Sequence, residues 1–299
     1  MASFEKQAAA NRRRTGVLLV FLFALTWAVA SVAALWLGVG GATVTMIAAA
    51  VSIASVWVSY WKSDKIVLTI TRARVVSQEE APQLHNIVEE VVIASGMPKP
   101  RIAIVEDAAP NAFATGRNPE NSVIAFTTGI LALMNREELQ GVAAHELAHV
   151  SNRDTLVMSV AATTAGIIAL ISDLTWRMAA FGGSDRRKDS HPFLLVAALV
   201  AALLAPLAAA LLRSSVSRSR ERLADATAVA YTRNPAGLRS ALEKLAGDST
   251  VVRARSNATA HLWIESPLNG KGLSKLFSTH PPIEERIAAL RLLESSEPR

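Results

Sequence analysis

The chain has 299 residues, 31 Lys+Arg against 25 Asp+Glu, no cysteine, 51% hydrophobic residues and a net charge of +6. Its charged fraction of 19% falls short of the about one quarter usual in soluble domains, so the apolar residues must gather in long blocks. This excludes disorder, collagen-like repeats and disulfide-rich secreted scaffolds, and without cysteine there is no thiol catalysis and no zinc–thiolate site.

In chain order, the first apolar block runs from Val17 to Leu37 behind Arg12, Arg13 and Arg14, about the twenty residues a bilayer crossing needs. Ala28-Val29-Ala30 resembles a signal-peptide cleavage site, but the apolar run continues to Trp36 and a second block follows almost at once. That block, Ala42 to Trp61, lies behind the tight turn Gly38–Gly41 and ends in Trp57, Tyr60, Trp61 and Lys62, an interfacial belt with a snorkelling cation. The two form a helical hairpin with both ends on the Arg-rich side.

Between residues 63 and 154 strand and helix patterns alternate. Ile66–Ile70 reads as a strand from its β-branched content. Ser77 with Glu80 is a capping box opening a helix to about Ser95, stopped by Gly96 and Pro98. Arg101–Val105 and Ser122–Phe126 are strands, with Asn111–Gly116 between them as an edge strand. Asn135 with Glu138 caps a further helix through Val150 and onward.

A weaker block, Leu156 to Thr175, carries Thr163, Thr164 and Asp173, and a buried soluble helix is its alternative reading. Phe193 to Leu212 is strongly apolar, with Pro206 as a tolerated kink. Flanking cations (Lys62, Lys65, Arg72, Arg74, Arg153, Arg213, Arg218, Arg220) place segments 62–154 and 213–299 in the cytoplasm. The connector 177–191 opposes this with Arg177, Arg186, Arg187 and Lys188, so the second hairpin is either spanning or re-entrant. After Leu212 the pattern is helical, with breaks near Asn234-Pro235, Ser266-Pro267 and Pro281-Pro282.

His145-Glu146-Leu147-Ala148-His149 is the one strong motif. Residues four apart on a helix differ by about 40° in azimuth, so both imidazoles project from one face and can grip one ion. Glu146 stands a third of a turn away, within reach of an attacking water without being a ligand. This is the layout of a zinc-dependent peptidase. A catalytic zinc takes three protein ligands. The metzincin pattern fails, because Asn152 and Thr155 stand where Gly and His are required. His85 lies in a separate helix and His191 in the connector, while His261 and His280 stay open. Glu221 with Asp225 one helical turn on is the best candidate pair, with Asp225 behind a liganding imidazole. A surface helix with Glu–Arg pairs fits the same spacing equally well. An even number of crossings between the histidines and Glu221 returns the chain to one face, which puts the site near the cytoplasmic membrane surface.

In Asn111–Gly116, His145–His149, Arg218–Asp225, Ser278–Pro282 and Glu285-Arg286 the chain resembles the HtpX-type membrane zinc metalloproteases, relatives of the CAAX prenyl proteases. The resemblance extends over nearly the whole chain, both hairpins included. It implies one zinc per chain with Glu221 as third ligand and Asp225 behind an imidazole. It also implies a multi-pass protein of the bacterial inner membrane that cuts misfolded or damaged membrane proteins from the cytoplasmic side under stress.

The expected fold is a mainly α integral membrane protein, with about four transmembrane helices in two hairpins. A cytoplasmic α+β, gluzincin-like metallopeptidase domain with a small β-sheet completes it. The parts are an N-terminal hairpin (1–62), the first half of the protease domain (63–154), a second transmembrane or re-entrant hairpin (155–212) and a helical second half (213–299). In the expected mechanism Glu146 takes the proton of the attacking water. His280 helps hold the oxyanion, unless Thr279 merely caps a helix there. Asn111 and Ala112 bind the substrate main chain as an edge strand does.

Rival readings are weaker. An intramembrane site-2-type protease would place its motif inside an apolar span, whereas Asn135-Arg136-Glu137-Glu138 starts this helix in water. A narrow CAAX-type processing protease usually has more membrane helices than four. An inactive scaffold would not need Glu146. A nucleic-acid binder is suggested by a pI near 10.0, but the cations hug the bilayer ends and no aromatic–basic platform exists. The expected partners are therefore unfolded or misfolded membrane proteins and the lipid bilayer, with no nucleic acid.

Overall fold

The computed structural model describes residues 2–36, 42–164, 166–167, 218–248, 250, 252, 262–264 and 282–296. The connector 177–191, the fourth apolar block, His261 and His280 lie outside them, as does most of the third block beyond its helical start.

Helix α1 (Ala2–Trp36) packs along α2 (Ala42–Trp61). Their packing is inside-out. On α1 the buried stripe is Asn11, Thr15, Leu18, Leu22 and Thr26, at helical spacing, while Val17 and Val20 stay 69% and 70% exposed. On α2 the buried residues are the small Ala48, Ser52 and Ser59, and Met46, Ile47, Val51, Ile53, Trp57 and Val58 face outward. Small seam residues let helix backbones approach closely. Thr26 and Ser52 satisfy their hydroxyls within their own helices, on Leu22 O (2.8 Å) and Ala48 O (2.7 Å). Among the described residues no helix is long and apolar enough to cross a membrane.

The expected strand at Ile66–Ile70 is instead helix α3 (Ser63–Thr71). The helical hydrogen bonding of α2 carries on through Lys62, which accepts from Ile66 N at 2.9 Å. Ser63, Val67 and Thr71 fall at i, i+4 and i+8 and are all buried, so helical packing overrides β-branched propensity. Arg72, left-handed at φ 55°, ends it. The strand appears just afterwards as β1 (Arg74–Val76). The Ser77–Glu80 box forms, with Ser77 N donating to Glu80 Oε2 at 2.8 Å. It closes a turn, however, and helix α4 (Pro82–Ser95) starts at the proline beyond. Gly96 ends α4 at φ 67°, as expected of a glycine stop.

Strands β2 (Arg101–Val105), β3 (Ala112–Gly116) and β4 (Ser122–Thr127) join β1 in a mixed sheet of order β1-β2-β4-β3. β2 runs parallel to β4, the other pairs are antiparallel, and β3 is an edge, as the sequence predicted. Alternation of side chains divides the core. Ile102, Ala112, Ala114, Ile124 and Phe126 pack on α4 and on α6 (Arg136–Ser151), which follows the short α5 (Thr128–Leu133). Ala103, Val105, Phe113, Val123 and Ala125 pack on Val67, Leu68, Met158 and Trp263.

After α6 a two-residue turn, with Arg153 left-handed at φ 58°, reverses the chain into α7 (154–164). The described helices then continue with α8 (Arg218–Thr232), α9 (Pro235–Gly247) and α10 (Ile283–Ser296). The architecture is mostly helical around one small mixed sheet.

Candidate metal centre

Helix α6 begins as the sequence requires. Asn135 Oδ1 accepts from Glu138 N (2.9 Å) and Glu138 Oε2 accepts from Asn135 N (2.8 Å). The same glutamate takes the Ser240 hydroxyl (2.6 Å) and the Lys244 ammonium (2.7 Å) of α9. Every residue from Leu139 to Val150 except Gln140 is buried, so α6 shows no solvated face and His145 and His149 project into the interior.

Their rings sit with centroids 4.7 Å apart at 89°, and the two Nε2 atoms are 3.2 Å apart. Glu221, in the first turn of α8, places Oε2 3.7 Å from His145 Nε2 and Oε1 3.6 Å from His149 Nε2. Among the described residues these three form the one group of His, Asp or Glu side chains arranged to hold a metal ion. A tetrahedral zinc with bonds of about 2.0–2.1 Å separates its ligand atoms by about 3.4 Å, which matches these spacings. The donor set of two imidazoles and one carboxylate is also one that zinc accepts.

The outer nitrogens are held as well. Asp225, one turn beyond Glu221, lies 2.9 Å from His145 Nδ1, the partner expected from the sequence. Asp154, at the start of α7, takes His149 Nδ1 at 3.1 Å. Each carboxylate accepts an Nδ1–H and leaves Nε2 free to bind metal. Arg286 of α10 clasps Asp225 through Nε and Nη2 at 3.0 and 2.7 Å. Its Nη2 is 3.3 Å from both ring nitrogens of His145, so it is aligned with neither lone pair.

Charge confirms the fit. Glu146, Glu221, Asp225 and Asp154 are 0–5% exposed, and among the described residues the arginines buried beside them are Arg220 and Arg286. With both imidazoles neutral, as metal ligation requires, four carboxylates against two guanidiniums leave two negative charges, which a divalent ion would neutralise. Without an ion, burial pushes His145 down to about 4, helped by Arg286 and opposed by Asp225. Burial also opposes a charge on His149, but Asp154, Glu221 and Glu146 outweigh it and raise that group to about 9. For Asp225 burial favours the neutral acid, and the Arg286 charge overrides it, holding the group at about 2.

Of the residues singled out in the sequence, His145, His149, Glu221 and Asp225 come together, with Glu146 buried on the same helix and coupled by charge to His149 and Arg286. Ala112 begins β3 and Asn111 precedes it, but they are 0% and 3% exposed, and Ala112 O already accepts from Ile264 N at 2.9 Å. His280 lies outside the described residues, and His85 is bonded to Val76 O. Asp154 was missed. Its one signal was an acid five residues after His149, immediately past the helix end. Arg286 stood only within a motif.

A buried HExxH helix that meets a glutamate from a later helix defines the HExxH class of peptidases. Residues 78–294 match Peptidase family M48, and the chain belongs to that family. It is 48% identical over 287 residues to a "Protease HtpX homolog" of Syntrophobacter fumaroxidans, covering 94% of this chain and 99% of that one. It is 45% identical over 281 residues to one of Pyrococcus abyssi, covering 93% and 94%. Among solved structures, the crystal structure of S. mikatae Ste24p aligns with a TM-score of 0.43 at 20% identity. That alignment covers 82% of this chain and 64% of that chain, and it is too distant to inform the geometry.

Proposed function

We propose that the chain is a membrane-anchored, zinc-dependent endopeptidase that cuts unfolded or misfolded membrane proteins at the cytoplasmic face of the cell membrane. The observation that carries this reading is the convergence of His145, His149 and Glu221 next to Glu146, inside a buried excess of negative charge.

His145 and His149 hold the ion through Nε2, each kept in that tautomer by a carboxylate on Nδ1, and Glu221 supplies the third donor. When bound, zinc supplies Lewis acidity for the scissile carbonyl and for water. Glu146 takes a proton from the attacking water at its carboxylate and returns it to the leaving amide nitrogen. His280 is assigned the second donor to the developing oxyanion. Substrate main chain pairs with β3 at Asn111 and Ala112, which requires the 262–264 turn to lift from Ala112 O.

Membrane anchoring is supported by the inside-out seam of α1 and α2. Large apolar side chains face outward, and Trp57, Tyr60 and Trp61 gather at the end of α2, with Lys62 Nζ 5.9 Å from the Trp57 ring centroid. The second hairpin, 155–212, is assigned to the same bilayer.

The test is cleavage of casein by detergent-purified protein, stripped with chelator, restored with zinc and compared with Glu146→Gln. Restored cleavage in the wild type, reduced about 10²-fold or more in the variant while zinc is still bound, is the expected result. A zinc-loaded wild type that leaves casein and misfolded membrane proteins intact refutes the general-protease reading. Equal cleavage by both proteins refutes the role of Glu146.

A further inference from the structure

We infer that the N-terminal helix is a working part of the metal centre, with Asn11 positioning Asp154 and, through it, His149. This rests on the metal-binding reading above and adds to it a segment outside the span 78–294 that carries the family pattern.

Asn11 is 1% exposed, and its amide nitrogen donates to Asp154 Oδ1 at 2.6 Å and to Asn152 O at 2.9 Å. Both partners are acceptors, so the amide orientation is unambiguous. Asp154 is fully buried, and its other oxygen takes His149 Nδ1 at 3.1 Å. The carboxylate is therefore gripped at both ends, by the first helix on one side and by a metal-ligand histidine on the other. Arg220 Nε stands 3.9 Å from the same Oδ1, beyond hydrogen-bond reach. Without the Asn11 amide the carboxylate would turn towards Arg220, drawing Oδ2 away from Nδ1.

The docking is not an isolated contact. One turn and two turns along α1, Thr15 and Leu18 continue the buried stripe, and Leu18 packs against Leu156, Val157 and Val160 of α7. α1 thus packs on the helix that carries Asp154 between Leu156 and Ala161, and among its described side chains it is Asn11 that reaches the carboxylate. Groups that orient a metal-ligand histidine commonly matter for metal affinity by about 10- to 100-fold on removal.

The test measures zinc affinity of the full-length protein in detergent, by competition with a chromophoric chelator and with zinc alone as probe. Asn11→Leu keeps size and removes both donors, and an affinity loss of about 10-fold or more is expected. Asn11→Ser, which keeps a shorter donor, should fall between it and the wild type. Leu18→Ala serves as the packing control: it should lower the melting temperature and leave zinc affinity within about twofold, because it does not touch Asp154. In a double-mutant cycle, Asn11→Leu combined with Asp154→Asn should cost no more than Asp154→Asn alone. Unchanged affinity in both Asn11 variants, additive losses in the cycle, or an equal loss in Leu18→Ala overturns the inference. A wild type that binds no zinc overturns the metal reading itself, so the two failures are distinguishable.

Discussion

Helix α6 presents His145 and His149 from a backbone pressed directly against α9, and Gly141→Ala tests how closely. A Cβ on Gly141 would lie 2.7 Å from Leu238 N and 2.8 Å from its Cα. The contact is reciprocal, because a Cβ on Gly237 would lie 2.8 Å from Glu137 O. Restoring ordinary contact distances requires the two helices to part by about 0.7 Å or more. Backbone cannot yield as a flexible side chain does, so the overpacking cost is about 3 kcal/mol. Parting also lengthens the Glu138 bonds to Ser240 and Lys244, at about 1 kcal/mol more. Against this, alanine improves helix propensity by about 1 kcal/mol. The net loss of about 3 kcal/mol corresponds to about 5 °C in melting temperature for a chain of this size. Gly247→Ala is the opposite case: exposed at the end of α9, with nothing within 4 Å of its added Cβ, it should be neutral or stabilise by up to about 0.5 kcal/mol. Both are read from thermal unfolding of the zinc-loaded protein in detergent by tryptophan fluorescence. A Gly141→Ala protein that melts at or above the wild type would refute the close approach of α6 and α9.

Glu138 has its carboxyl held below the usual range: burial works against the charge, but Lys244, Ser240 and the Asn135 amide outweigh it. Its contribution is therefore present above about pH 4.5, the unfolded value, and is lost as pH falls through the folded one. Glu138→Gln should melt lower than wild type at pH 7, by about 2 kcal/mol of stability, and the gap should shrink in melts below pH 4.5; a gap that stays constant argues against the ion pair. Arg286→Met leaves Asp225 buried without its cation, and a loss of about 3–5 kcal/mol is expected in denaturant titrations. Arg286→Lys should recover only part of it, since an ammonium cannot reproduce the two-point clasp; full recovery would reduce Arg286 to a point charge. Glu221→Gln should melt below the wild type in excess zinc, having lost a metal donor, and the gap should narrow once both proteins are stripped of metal. An equal gap in both conditions contradicts Glu221 as a metal ligand.

Legibility in the sequence followed the range of each interaction. The capping box at Asn135 and Glu138, the paired histidines and the strands β2 and β4 are local patterns, and each appears where the sequence puts it. At Ile66–Ile70 the local signal misled, because Ser63, Val67 and Thr71 bury at helical spacing only once α2 continues through Lys62. Glu221 and Asp225 read equally well as a solvated Glu–Arg face, since nothing in their spacing says that α8 packs on α6. Asp154 was hidden for another reason. A search for ligands at i and i+4 looks along one helix, and Asp154 returns to His149 only because Arg153 takes a left-handed conformation that turns the chain back. Arg286, amid Glu284 and Glu285, looks like an exposed helix residue, yet it is 3% exposed and bound to Asp225.

The buried charges explain why so many distant segments meet at one point. A metal site made only of His145, His149 and Glu221 would need no arginine, but the two carboxylates that fix the imidazole tautomers add two more negative charges to a dry interior. Each must be hydrogen-bonded or paired, or the fold loses several kcal/mol per group, in the range of about 3–5. Arg286 answers for Asp225, and the Asn11 amide with Arg220 answers for Asp154. These partners come from α1, α8 and α10, elements far apart in the chain. Glu221, 3.5 Å from Arg286 Nη1, shares that guanidinium with Asp225, and a divalent ion would take up the negative charge in excess of the two arginines, which would tie metal binding to folding. The N-terminal helix, α8 and the C-terminal helix are thus tied, directly or through Asp154, to the two histidines of α6.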